Sequence, residues 1–241
     1  MVRDRLACWL WEVPDEPGAV VRFARARRLA EVFVNGADGA AAQQCSALRG
    51  AAVSTACLGG DPRWVWEPDR AIAWSREALR RTGCRTLHLD VEPWALPEWP
   101  DDPRRLAAAY ADLVEACAHA LPGTAVEIDV VPWLFDDLPV EARRAMSSAS
   151  SITVLAYRDR ADAILRFARP AIEAAHAARR PYRIGVETMP VGPGIPSSAT
   201  FADDGAAVLL REIELLDDAL ATDRWFRGVA VHHWAAWRTL R

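Results

Sequence analysis

Lysine is absent from this chain: all 29 basic residues among its 241 are arginines. Schiff-base catalysis, a phosphate-loop lysine and a lysine general base are therefore excluded. An excess of positive charge is missing too, since 33 acidic residues bring the formal charge to −4. Nothing in that balance points to nucleic acid or to an anionic membrane surface. No run of about 18 apolar residues occurs, which excludes a membrane-spanning helix. The segment Leu6 to Trp11 that follows Met1-Val2-Arg3-Asp4-Arg5 is too short for a leader core and lacks a small-residue cleavage site, so a cytoplasmic protein is expected. Cysteine is scarce and scattered: Cys8, Cys45, Cys57, Cys84 and Cys117 show no CxxC spacing, so neither a disulfide framework nor a zinc knuckle is indicated and all five read as buried small hydrophobes. A glycine-rich nucleotide fingerprint is lacking after the first apolar run, which argues against an open dinucleotide-binding sheet.

What is present is a core-forming composition, 51% hydrophobic residues against 26% charged ones. That suffices to bury a substantial interior and predicts a single domain over residues 1–241. Short β-type runs are expected at 6–12, 31–35, 52–58, 86–92, 125–131, 152–157, 183–187 and 228–233. Helical stretches separate them at 18–29, 69–81, 103–120, 159–178 and 202–220. Eight strands alternating with helices predict a parallel sheet closed into a compact (β/α)8 TIM barrel, with a short or absent last helix because only seven residues follow His233-Trp234.

The most telling run is Thr86-Leu87-His88-Leu89-Asp90-Val91-Glu92-Pro93-Trp94. Alternate strand residues share a face, so His88, Asp90 and Glu92 should project together while Leu87, Leu89 and Val91 pack on the other side. Barrel enzymes gather their chemistry where strands end. Those positions here carry Glu12, Asn35, Asp61, Asp90, Glu92, Asp129, Trp133, Tyr157, Asp159, Glu187, His232, His233 and Trp234. His119 and His176 fall in helices and are expected on the surface.

Three of these elements resemble the barrel of the chitinase-type glycoside hydrolases, family 18 and its relatives: Asp90-Val91-Glu92, Leu155-Ala156-Tyr157-Arg158-Asp159 and Val231-His232-His233-Trp234. In that family strand four carries D-x-D-x-E. The resemblance implies Glu92 as general acid, Asp90 as the residue that orients the substrate acetamido group, Tyr157 as a supporting hydroxyl and Trp234 as a platform under the sugar. This sequence departs from the pattern at its first position, where His88 replaces an aspartate. Glu92-Pro93 with Glu187 also resembles the glycosidases that hold an acid on strand four and a nucleophile on strand seven, although Val91 stands where they have asparagine. Glu187 is accordingly a nucleophile or a substrate ligand.

The chemistry is consistent without the resemblance. Glycosidic cleavage needs a carboxylic acid still protonated near neutrality, and a second carboxylate close by provides that. Sugar rings stack their C–H faces on aromatic side chains, and 11 tryptophans include Trp9, Trp11, Trp94, Trp99, Trp133 and Trp234 near strand ends, whereas Trp74 reads as filler between barrel and helices. A carbohydrate partner, no nucleic acid, no membrane and no cofactor are expected, with His88, Trp94, Asp129, Trp133, Asp159, His232, His233 and Trp234 contacting substrate. Two other readings stay open. The histidines and carboxylates could hold a divalent ion for a metal-dependent phosphodiesterase or hydrolase, although no HxH spacing occurs. The same cleft could equally bind carbohydrate without turnover.

Overall fold

Each of the eight expected strands forms in the computed structural model, which describes residues 5–241. The leader reading on Met1 to Asp4 falls outside the described residues. Strands β1 (Leu6–Leu10), β2 (Leu29–Asn35), β3 (Ser54–Gly59), β4 (Thr86–Leu89), β5 (Ala125–Val130), β6 (Ser151–Leu155), β7 (Tyr182–Glu187) and β8 (Phe226–His232) run parallel in chain order. Pairing of β8 with β1 closes the barrel. Around it lie α1 (Pro17–Ala26), α2 (Ala41–Gly50), α3 (Pro68–Thr82), α4 (Pro103–Ala120), α5 (Leu134–Asp137), α6 (Pro139–Ser148), α7 (Ala161–Ala178), α8 (Ala206–Ala219) and the one-turn α9 (Trp234–Trp237). This is the (β/α)8 barrel expected from the alternation. Among the described residues no helix is long and apolar enough to cross a membrane.

Proline and glycine set many of the boundaries. Helices α1, α3, α4 and α6 begin on a proline, whose fixed φ suits a first turn and whose missing N–H would have no intrahelical acceptor there. The Asp102 side chain accepts from the Arg105 N–H at the start of α4. Gly83, at φ +66°, ends α3 in the left-handed conformation that residues with a Cβ avoid.

Two differences from expectation have local causes. Strand β4 stops at Leu89 instead of reaching 92. The Asp90 N–H makes a last bond to the Gly59 carbonyl at 3.0 Å, and Pro93 then starts a short 3-10 turn, Pro93–Ala95. Helices α2 and α6 fall outside the expected stretches; that of α2, Ala-Ala-Gln-Gln-Cys-Ser-Ala-Leu-Arg-Gly, buries Ala41, Gln44, Cys45 and Leu48 and so lacks a continuous stripe of large apolar residues.

The period of two holds along the sheet and divides the core. Leu6, Cys8, Leu10, Val32, Val34, Leu87, Leu89, Val91, Val126, Ile128, Val130, Ile152, Val154, Ile184, Val186, Val229 and Val231 face the helices. Inside the barrel lie Ala7, Trp9, Phe33, Ala56, Leu58, Leu155 and Ala230. A Cβ on Gly185 would come within 3.3 Å of Trp9, so a residue without one leaves room for the indole. Trp74 behaves as filler: its ring lies against Gly59, where a Cβ would fall 2.0 Å away.

The tightest approach joins β3 to the segment after β4, since a Cβ at Gly60 would stand 1.8 Å from the Asp90 carbonyl oxygen. Backbone cannot move aside as a flexible side chain can. Gly60→Ala is expected to cost about 1–3 kcal/mol in urea unfolding, whereas Gly39→Ala, whose Cβ meets nothing within 4 Å, should leave the midpoint unchanged.

Candidate active site

The interior of this barrel is charged from floor to mouth. At the floor the Arg183 guanidinium from β7 pairs with Glu31 from β2. One layer up, His88 of β4 is fully buried, and its Nδ1 lies 3.4 Å from Glu127 Oε2. Its Nε2 sits 3.0 and 3.1 Å from the two oxygens of Asp129, also fully buried. The imidazole ring stacks on Phe33 with centroids 3.8 Å apart. Burial alone would depress the His88 pKa, but the charges of Asp129 and Glu127 and the hydrogen bonds to them outweigh it and raise it to about 10. His88 is therefore an imidazolium at neutral pH, with both N–H groups donating to carboxylates.

Asp129 has a second donor. The Trp9 indole N–H gives a hydrogen bond of 3.2 Å to its Oδ2, and the Tyr110 hydroxyl donates 2.8 Å to its backbone carbonyl. Above it stands Asp90, whose carboxyl is held well above the usual range by burial and by the negative charges of Asp129 and Glu92. Asp90 is thus a neutral acid. Its Oδ1 is buried with no hydrogen-bond partner among the described residues.

Glu92 occupies the outer edge of this stack. Burial and the charge on Asp129 push its carboxyl up to about 7, against the opposing pull of His232 and of a hydrogen bond from the Trp94 indole, while Glu187 pushes upward again. The Tyr157 hydroxyl is likewise held protonated by burial and by Glu187, Asp90 and Glu92. The arrangement places a proton donor of near-neutral pKa, a neutral carboxyl and a phenol together at the C-terminal ends of the strands.

Glu187 meets the group from β7. Its Oε1 accepts from the backbone N–H groups of Thr188 and Met189 at 2.7 and 2.8 Å, and both oxygens lie 3.0 Å from His232 Nδ1. A cavity of about 220 Å³ opens beside it, walled by Trp133, Tyr157, Phe167 and the 194–196 segment of the proline-rich loop after β7. Trp94 packs edge-on against Trp99, Tyr110 and Trp133, so the loop after β4 and the turn after β5 share one half-buried aromatic wall.

Not every expected residue joins this cluster. Trp9 lies at the barrel centre and is wholly buried, so it is an internal hydrogen-bond donor and has no face for a ligand. Trp234 opens α9, where it is 7% exposed within the outer core and carries Arg238 over its ring. His233 turns away from its neighbour's partner, with Nδ1 3.3 Å from Glu12 at the rim. Asp159 lies in the loop after β6, near Asp204. Asn35 and Asp61 satisfy local backbone, through the Trp11 carbonyl and the Arg63 N–H. His119 and His176 are exposed, as expected, and His176 pairs with Asp223.

Sequence reasoning did not identify Trp9 and Tyr110 as the supports of Asp129, or Glu127 as the second carboxylate on His88. Their links run between residues 120, 39 and 19 positions apart or through a backbone carbonyl, which no local pattern displays. Glu127 two positions before Asp129 was the one available signal, since alternate residues share the inner face.

The ionisation of His88 has a thermodynamic signature. A histidine pKa raised from 6.5 to about 10 stabilises the fold fully below pH 6.5, and that stabilisation is lost as pH rises through about 10. Thermal unfolding of the native chain should show a falling Tm across that window, and His88→Gln should flatten the slope. At neutral pH the substitution strands two buried carboxylates and is expected to cost about 3–5 kcal/mol.

No family model matches the chain, and no curated protein matches it. Solved structures do. A chitinase from Chromobacterium violaceum superposes with a TM-score of 0.64 at 13% identity, covering 97% of each chain. A family 18 chitinase variant from Cycas revoluta, solved in complex with (GlcNAc)4, gives 0.63 at 15% identity over 94% of each. A putative deoxyribose-phosphate aldolase from Toxoplasma gondii gives 0.60 at 11%, covering 98% of this chain and 91% of the other. At such identities the likeness is one of fold: this chain is a (β/α)8 barrel, the architecture that chitinases and an aldolase share with it.

Proposed function

We propose that this protein hydrolyses glycosidic bonds in N-acetylhexosamine-containing carbohydrate, with Glu92 as the general acid. The observation that carries this reading is the Glu92 carboxyl, raised to about 7 beside the neutral Asp90 at the barrel mouth. A group of that pKa can give its proton to a leaving glycosidic oxygen at neutral pH and recover it from water. The match in position to the D-x-E element of family 18, and the fold shared with chitinases, support the same assignment.

Bond cleavage leaves positive charge at the anomeric carbon, which a nucleophile must meet. The neutral Asp90 carboxyl and the Tyr157 hydroxyl are suited to hold an acetamido group so that its carbonyl oxygen attacks as Glu92 donates. Glu187 is the less suitable nucleophile, because two backbone N–H groups and His232 already occupy its oxygens. We assign it to fixing His232 and the wall of the site. Trp94 and Trp133 supply the aromatic surface for sugar rings, with His232 beside Tyr157, ring centroids 6.2 Å apart. Asp129 acts from beneath by keeping Asp90 neutral. We assign the buried His233 and Trp234, and Asp159 in the loop after β6, to shaping the loops rather than to gripping the substrate.

The metal-dependent alternative draws less support. Among the described residues no group of three or more His, Cys, Asp or Glu side chains is arranged to hold an ion. Both His88 nitrogens and His232 Nδ1 already face carboxylates within the fold.

Turnover of a panel of N-acetylhexosamine and neutral oligosaccharides tests the proposal. Glu92→Gln should lower kcat on the order of 10²- to 10⁴-fold with little change in KM, and Glu187→Gln should lower it far less. The reverse order would make Glu187 the essential carboxylate. Sugar binding with no cleavage of any member would identify a binding barrel instead. For the native enzyme, kcat/KM should fall as pH rises past about 7, where Glu92 loses its proton, and that limb should vanish in any residual activity of Glu92→Gln.

A further inference from the structure

At the opposite end of the barrel, where β3 and β4 begin, a second cavity of about 490 Å³ is lined by Arg49, Ser54, Thr55, Gly83, Cys84 and Arg85, among others. Cys84 lines this cavity and is half-buried. Directly behind it on α2 lies the fully buried Cys45, whose Sγ is 3.7 Å from Cys84 Sγ. The two thiols are 39 residues apart in sequence, so the fold alone brings them together. Arg49 reaches over the pair to donate to the Thr55 hydroxyl and to the Thr82 carbonyl, each at 3.1 Å.

We propose that Cys45 and Cys84 form a reversible oxidation site, a dithiol that hydrogen peroxide converts to an intrachain disulfide. Sulfurs in van der Waals contact need only a small side-chain adjustment to reach bonding distance. The chemistry favours Cys84 as the attacking group. Its hydrogen bond with Cys45, those with Thr55 and Thr82, and the charge of Arg49 hold its thiol down to about 6. Burial raises the thiols of Cys8, Cys57 and Cys117, and Cys57 stands at about 12.

The step balances as follows. The Cys84 thiolate attacks one peroxide oxygen, the O–O bond breaks, and hydroxide leaves to be protonated as water. Cys84 is then a sulfenic acid. The Cys45 sulfur attacks the Cys84 sulfur, the S–O bond breaks, and the departing hydroxide takes the Cys45 proton to form a second water. Two thiols are oxidised by two electrons and one peroxide is reduced.

This proposal is independent of the glycosidase reading, and its test needs no substrate. Cleavage after arginine places Cys45 in residues 29–49, Cys57 in 50–63 and Cys84 in 82–85. The native protein, treated with peroxide and digested without reductant, should yield 29–49 linked to 82–85, and dithiothreitol should release both. Cys57→Ser should retain the link and Cys84→Ser should lose it, while in the native chain alkylation should consume Cys84 on the order of tenfold or more faster than Cys57. Conversion of Cys84 to a sulfinic acid with no link, a link through 50–63, or five unreacted thiols would overturn the proposal.

Discussion

The enclosure of an imidazolium between two carboxylates inside the barrel is the constraint from which the site's properties follow. Asp129 and Glu127 cannot both remain ionised next to Asp90 and Glu31 unless cations are buried with them. His88 supplies one charge at mid-height and Arg183 the other at the floor. Above them the carboxyl groups of Asp90, Glu92 and Glu187 gather toward the mouth. Asp90 accordingly stays neutral and Glu92 is held at the edge of ionisation. The negative charge sits on β5, at Asp129, and the cation that steadies it sits on β4.

Around that axis the barrel uses side chains of unequal size. Trp9 and Phe33 fill the centre, while Ala7, Ala56, Gly185 and Ala230 leave them space. The large rings also hold polar groups in place: Phe33 stacks on His88, and Trp9 meets His88 and His232 edge-on while donating to Asp129. Packing and electrostatics are one device at this level. A ring that excludes water from a charge raises the strength of every interaction that the charge makes.

The fold was legible because strand and helix periods are written locally. All eight strands could be read from apolar runs, and the alternation of His88 against Leu87 and Leu89 matches the faces of β4, which ends before Asp90. Helix α2 was missed because small residues and a buried glutamine blur its stripe. In the site, the residues that share a strand end with Glu92 could be named, but their partners could not. Aromatic residues were the least legible. Trp9 on an inner-facing position and Trp234 at a strand end both resemble ligand platforms in sequence, and only the closure of the barrel distinguishes a ring sealed in the core from one at the rim.

The space that Gly185 leaves for Trp9 ties two positions 176 residues apart (185 minus 9) into one volume. Neither residue can be judged by its own chemistry. A Cβ at 185 would press on Trp9, on Leu155 and on the Val154 carbonyl, each at 3.3 Å, and a ring at 9 without an N–H surrenders the donor to Asp129. The pair is thus locked by sterics on one side and by hydrogen bonding on the other. In related barrels these two positions should vary together or not at all, and their substitutions should combine non-additively.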